Sequence, residues 1–132
     1  MRVLIDTSAI ISLFRNDHKI ISEIEKADEV FTSTLCAFEV YLGEAYSKLK
    51  GIKPKERVME FFDNIEIINF TLDDARKSSE IKALLRTKGV EVNVLDILIA
   101  ASAYRLGLSV VTKDRDFQAI SKYVDLEVIL SI

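Results

Sequence analysis

Residues 94–117 read VLDILIAASAYRLGLSVVTKDRDF. Ile97, Leu98, Ala101, Tyr104 and Leu106 follow the helical period, and Gly107 supplies the stop. Val110, Val111 and Thr112 are β-branched and read as a short strand. Asp96 stands at the front of the helix, and Asp114 and Asp116 follow the strand. Nowhere else in the chain do acids lie so close to apolar core segments on both sides. The fold is expected to bring Asp6 and Glu39 to these three.

Working outward, the chain alternates strands and helices. Arg2–Ile5 is a short apolar run, the mark of a buried strand. Asp6, Thr7 and Ser8 end it and can cap a helix through Asn16. Asp17–Ala27 reads as a helix and Glu29–Thr32 as a strand. Thr34–Lys50 is a long helix whose apolar stripe is Leu35, Phe38, Leu42, Ala45, Tyr46 and Leu49, at about 100° per residue. Glu39 falls on the margin of that stripe as an inward-facing acid, with Gly43 leaving room beside it. A loop with Gly51 and Pro54 leads to a helix over Glu56–Asp63 and a strand over Ile65–Asn69. Thr71 and Asp74 have the spacing of a capping box for a helix that runs to Lys88 and stops at Gly89. Asn93 can cap the Asp96 helix. The strand Leu108–Thr112, the helix Arg115–Lys122 and the strand Leu126–Leu130 complete the chain.

This pattern predicts an α/β fold, a three-layer α/β/α sandwich with a five-stranded parallel sheet, as a single domain over residues 1–132. Ligands of such sheets collect at the carboxyl ends of the strands where strand order reverses. If the strands before Asp6 and Asp114 are neighbours there, their carboxylates meet.

Composition narrows the chemistry. A chain of 132 residues, 49% hydrophobic and 30% charged, can bury a sizeable core without a disulfide or structural metal. Cys36 and His18 are the only residues of their kinds, so neither a cysteine-based zinc site nor a two-histidine site can form within the chain. A cytoplasmic location fits the single cysteine and an amino terminus unlike a secretory signal. No stretch approaches the ~20 apolar residues of a membrane span. The net charge of −3 argues mildly against nucleic acid as partner, unless the acids are gathered where cations neutralise them.

Each acid alone has an ordinary reading: Asp6 as a helix cap, Asp96 as a first-turn acid suited to the helix dipole, Asp114 and Asp116 as solvated turn residues. Glu39 resists it, because an inward carboxylate costs free energy unless it is paired, with a basic residue or with a metal. Jointly the ordinary readings weaken. Carboxylates crowded at strand ends repel and raise one another's pKa, and divalent cations resolve the repulsion. All-oxygen ligands select hard ions, Mg²⁺ or Mn²⁺. Acids around such ions are a recurring design for phosphodiester hydrolysis.

Four segments carry a family resemblance: LIDTSAII around Asp6, FTSTLCAFEVYLG around Glu39, LLRTKGVEVNVLDILIAASA around Asp96, and LSVVTKDRDF around Thr112, Asp114 and Asp116. Any one is weak. In this order and spacing the chain resembles PIN-domain ribonucleases, specifically the small VapC-type toxins of prokaryotic toxin–antitoxin pairs, over nearly its whole length. The resemblance implies a parallel five-stranded sheet with helices on both sides and cleavage of RNA with Mg²⁺ or Mn²⁺. It makes Asp6, Glu39, Asp96 and Asp114 the acidic quartet, with Asp116 in an optional fifth place. On this reading Asp6, Asp96 and Asp114 hold the metal, and Glu39 helps hold it or orients the water. Thr112 matches the family's hydroxyl residue beside the site, and Thr7 the one after the first Asp. A homodimer and a cognate antitoxin protein are the implied partners. Val40 stands where Leu is usual after the glutamate, a small departure, and no acid is missing.

Lys113 and Arg115, flanking Asp114, are candidates for holding a phosphate. Lys48, Lys50, Lys53, Lys55 and Arg57 read either as a strip along the RNA backbone or as a solvated loop. Phe14, Phe31, Phe38, Phe61, Phe62 and Phe117 are assigned to the core, Cys36 to a packed position, and His18 to the surface. The rival readings are a housekeeping nuclease on the same fold, a non-catalytic binding module, and a phosphoacceptor signalling domain. The last needs paired acids after the first strand and an aspartate ending the third, where Asn69 and Phe70 stand.

Overall fold

The computed structural model describes all residues from Met1 to Ile132. Its strands are β1 (Arg2–Ile5), β2 (Glu29–Ser33), β3 (Glu66–Ile68), β4 (Ser109–Thr112) and β5 (Val128–Leu130). Its helices are α1 (Thr7–Phe14), α2 (His18–Lys26), α3 (Thr34–Leu49), α4 (Glu56–Asp63), α5 (Leu72–Thr87), α6 (Val94–Leu106) and α7 (Arg115–Ser121). All five strands pair in parallel, in the order β3-β2-β1-β4-β5. The expected α/β sandwich is what forms, with the outer strands β3 and β5 shorter than their apolar runs suggested.

β1 lies at the centre, with Leu4 opposite Phe31 on one side and Val110 on the other. Val3, Leu4 and Ile5 are all buried. Successive strand residues point to opposite faces, so helices cover the sheet on both. The order runs outward from β1 through β2 to β3, then restarts on the other flank with β4 and β5. The reversal therefore falls between β1 and β4, whose carboxyl ends lead into Asp6 and Asp114.

Caps fix the helix starts. Asp6 accepts from the Ala9 N–H at the head of α1, Asn93 from Leu95 at α6, and Asp114 from Asp116 at α7. Thr71 and Asp74 complete the capping box of α5. Gly107 ends α6 with φ 66°, a left-handed conformation that glycine adopts without a Cβ penalty.

One expectation fails. Of the stripe Leu35, Phe38, Leu42, Ala45, Tyr46 and Leu49, only Leu35 packs against the core. Phe38 is 55% exposed, Tyr46 60% and Leu49 84%, while Cys36 and Val40 are buried instead. The core placement of Phe38 fails with it. Helix α3 is apolar on two sides, so periodicity favours the side with the larger residues. Packing against α1 and α6 takes the side with the smaller ones. Phe62 and Phe117 are buried as expected, and Phe14, Phe31 and Phe61 pack partly buried against the core.

α5 and α6 are joined by a buried polar network. Asp74 accepts from Arg105 Nε (2.6 Å), Arg105 Nη2 (3.1 Å), Ser102 Oγ (2.7 Å) and the Thr71 N–H (3.0 Å). Burial pushes the Asp74 carboxyl up, but these donors, Arg105 first, hold it below the usual value. Its stabilisation is present above the ordinary carboxylate range and is lost as pH falls through the depressed value. Arg105→Ala leaves a buried carboxylate short of its charged partner. It should cost about 2 kcal/mol in urea unfolding, reduced by the solvent that reaches Arg105.

Candidate metal-binding active site

The acids gather at the sheet's reversal point, positioned by the starts of two helices. Asp96 lies in the first turn of α6, Asp114 caps α7, and Asp116 lies in the first turn of α7. Each of the three offers a carboxylate oxygen, and these oxygens lie within 4.8 Å of one another. Asp116 also accepts from the Asn93 N–H through Oδ2 (3.0 Å), which ties α7 to the start of α6.

Asp6 sits beside this trio at the end of β1. Its Oδ2 accepts from Thr112 Oγ1 (2.6 Å), and its Oδ1 accepts from Ser8 Oγ (2.8 Å) and the Ala9 N–H (2.9 Å). Thr112 Oγ1 in turn accepts from the Asp114 N–H (2.8 Å), and Ser8 Oγ from the Lys113 N–H (2.9 Å). The two hydroxyls thus lock the end of β4 onto the end of β1. Ser8 was read only as part of a helix cap. Its position two residues after a strand-end aspartate was the signal for this second role.

Glu39 is tied to the residue that follows Asp6: the Thr7 hydroxyl donates to its Oε1 (2.7 Å). It is half-buried and looks into a neighbouring cleft. Of the five acids named from the sequence, Asp96, Asp114 and Asp116 share one point. Asp6 adjoins them, and Glu39 lies outside the trio, bonded to Thr7.

The electrostatics are unbalanced. None of the chain's seven ion pairs involves Asp6, Glu39, Asp96, Asp114 or Asp116. Asp96 is 7% exposed, and its Oδ2 is the one buried side-chain oxygen or nitrogen in the protein without a hydrogen-bond partner. Burial, followed by the hydrogen bond with Asp114 and the charges of Asp114, Asp6 and Asp116, pushes the Asp96 carboxyl up to about 8. Burial also raises Asp6, and Asp114 adds to the rise, against the lowering hydrogen bonds from Thr112, Ala9 and Ser8. A carboxyl with an orphan oxygen, facing two more acids and no base, fits a hard divalent cation.

The flanking cations differ. Lys113 pairs with Asp17, the cap of α2, and that ammonium holds Asp17 below its usual value. Arg115 is exposed and unpaired.

Residues 3–123 match the model of the PIN domain. The chain belongs to the PIN-domain family. It is 29% identical over 125 residues to the tRNA(fMet)-specific endonuclease VapC of Salmonella typhimurium, covering 91% of this chain and 92% of that protein. Among solved structures, the PIN fold recurs in VapBC bound to DNA from Salmonella typhimurium (TM-score 0.77, 21% identity, 100% of this chain and 99% of that one). It recurs again in VapBC-1 from nontypeable Haemophilus influenzae (TM-score 0.78, 19% identity, 98% of both chains). VapBC-5 of Mycobacterium tuberculosis, a member of a family of toxin–antitoxin systems, superposes with TM-score 0.76 at 24% identity over 98% of both chains. This PIN domain is thus a distant VapC homologue over 91% of its length.

Within this PIN site, Thr112 is the hinge of the hydrogen-bond network. Thr112→Val removes the donor to Asp6 and the acceptor for Asp114 at nearly constant volume. Nuclease activity should fall roughly 10–100-fold, the scale on which the loss of a group that orients a site's carboxylates is felt.

Proposed function

We propose that this PIN domain is a metal-dependent endoribonuclease and the toxin of a toxin–antitoxin pair. The observation that carries the chemistry is the orphaned Asp96 oxygen within a carboxylate cluster that no basic residue neutralises. Asp96, Asp114 and Asp116, with Asp6 alongside, would hold Mg²⁺ or Mn²⁺. Such an ion supplies Lewis acidity, which activates water and offsets the charge that develops on a phosphodiester. The chain's own groups do the rest. Thr112 and Ser8 hold Asp6 in one rotamer, and Asn93 and the α7 start hold Asp116 and Asp114. Glu39, oriented by Thr7, would position the attacking water or complete the ligand set. Arg115 is free to meet a substrate phosphate, and Lys113 can do so only by leaving Asp17.

The toxin assignment follows from the VapC relative and from the VapBC complexes that share the fold. An antitoxin protein and a second copy of the chain are the proposed partners. The apolar outer face of α3, with Phe38, Tyr41, Leu42 and Tyr46 exposed, supports such a partner, since soluble proteins rarely leave large contiguous apolar patches uncovered. No helix is long and apolar enough to cross a membrane. A cytoplasmic location is proposed on the same grounds as the toxin role.

The experiment is cleavage of single-stranded and structured RNA by purified protein, with Mn²⁺ or Mg²⁺ against EDTA. Metal-dependent cuts leaving 5′-phosphate and 3′-hydroxyl ends are expected. No cleavage of any RNA with either ion would favour a binding module on the PIN scaffold.

A further inference from the structure

Beside the acidic cluster lies a cleft of about 240 Å³ between α1, α3 and the segment leading into α4. Glu39 lines it, so it borders the carboxylate that Thr7, the residue after Asp6, holds in place. Four cations line it as well: Arg15 at the end of α1, Lys53 and Lys55 in the loop, and Arg57 in α4. All four are exposed and none makes an ion pair. Two carboxylates oppose them, Glu39, which accepts from Thr7, and Glu44, which accepts from the Lys55 N–H (3.0 Å). The cleft is therefore net positive in a protein whose overall charge is −3. Lys48 and Lys50, members of the same basic run, do not line it.

Two further features suit a nucleic-acid strand. The Arg57 guanidinium lies over the Phe14 ring, 5.3 Å from its centroid, which holds the charge in place and leaves its N–H edge open to an anion. Gly43 forms part of the α3 wall, where a Cβ would meet no atom within 4 Å. The wall is open there, and a larger side chain would fill the cleft without disturbing the fold.

Building on the ribonuclease reading, we propose that this cleft receives the RNA strand next to the bond being cut. Arg15, Lys53, Lys55 and Arg57 neutralise its phosphates. They act as positioning residues: they carry the strand past Glu39 and into the acidic cluster, and they take no part in the chemical step. A chain of net negative charge can thereby hold a polyanion against its own acids.

The test compares the wild-type protein with Arg15→Ala/Arg57→Ala, Lys53→Ala/Lys55→Ala and Gly43→Met. The substrates are a single-stranded RNA oligonucleotide and a dinucleotide too short to reach the cleft. On the oligonucleotide each variant should raise KM about tenfold with kcat unchanged. In the two double variants the slope of log KM against log salt should fall by about 0.7 for each lost phosphate contact. Dinucleotide cleavage should match the wild type. A wild-type protein that cuts no RNA defeats the nuclease reading itself. A wild-type protein that cuts RNA, with all three variants sharing its KM and salt slope, overturns the cleft proposal alone. Poly-glutamate binding is measured on the same proteins, and variants that lose it while keeping the wild-type KM for RNA overturn the proposal, marking the cleft as a docking surface for an acidic protein segment.

Discussion

Asp96→Asn should lower metal-dependent RNA cleavage by roughly 10³-fold or more, because it takes a ligand charge from the centre of the acidic cluster. The same substitution should make the metal-free protein more stable. An acid held protonated in the folded chain costs stability at every pH above its unfolded value. For Asp96 that cost begins near the ordinary carboxylate range, grows with pH, and levels off at about 8. Asparagine removes it and can still hydrogen-bond to Asp114. At neutral pH and without divalent ions, the melting temperature should rise by roughly 4 °C, or about 1 kcal/mol, because solvent reaching the cluster screens part of the repulsion. Activity and stability moving in opposite directions is the mark of a functional carboxylate; a structural one would lose both. Thermal melts and RNA cleavage of the same preparation check it, and a less stable variant with full activity would contradict it.

The second large effect is metal withdrawal. EDTA should take RNA cleavage to background, and added Mn²⁺ or Mg²⁺ should restore it. The concentration needed should depend on pH in a defined way. Binding a cation requires Asp96 to lose its proton, so below about 8 the half-saturating metal concentration should fall roughly tenfold per pH unit, and above it should change little. The sign is fixed by the raised carboxyl. A depressed carboxyl would be ionised throughout this range and give no such slope. Metal titrations of RNA cleavage at several pH values provide the measurement.

The sheet was legible because the strand runs Arg2–Ile5 and Leu108–Thr112 are short and largely apolar, with Asp6 directly after the first and Asp114 two residues after the second. With the reversal of strand order between β1 and β4, adjacency of Asp6 and Asp114 follows from topology. The position of Asp116 was less legible. The resemblance implies only an optional place for it, yet it joins Asp96 and Asp114 in the tight trio. Its position depends on the cap of α7 and on the Asn93 N–H, contacts that sequence spacing does not encode. The face of α3 was misread for a related reason. Periodicity ranks stripes by hydrophobicity, whereas close packing of α3 against α1 and α6 selects the narrower residues Cys36 and Val40. Arg15 could not be grouped with the loop lysines from sequence, because only the fold brings the end of α1 to the approach to α4. The pairing of Lys113 with Asp17 likewise bridges distant segments, and it removes the freedom that spacing alone gave that lysine.

The most direct measurement is calorimetric titration of Mn²⁺ into the metal-free protein at about pH 7, in two buffers of different ionisation enthalpy, for the wild type and Asp96→Asn. The prediction is wild-type binding that releases about one proton, since the Asp96 carboxyl at about 8 is mostly protonated there, and loss of both binding and release in the variant. Equal binding by the two proteins, or no binding by either, would contradict a cation held by these acids.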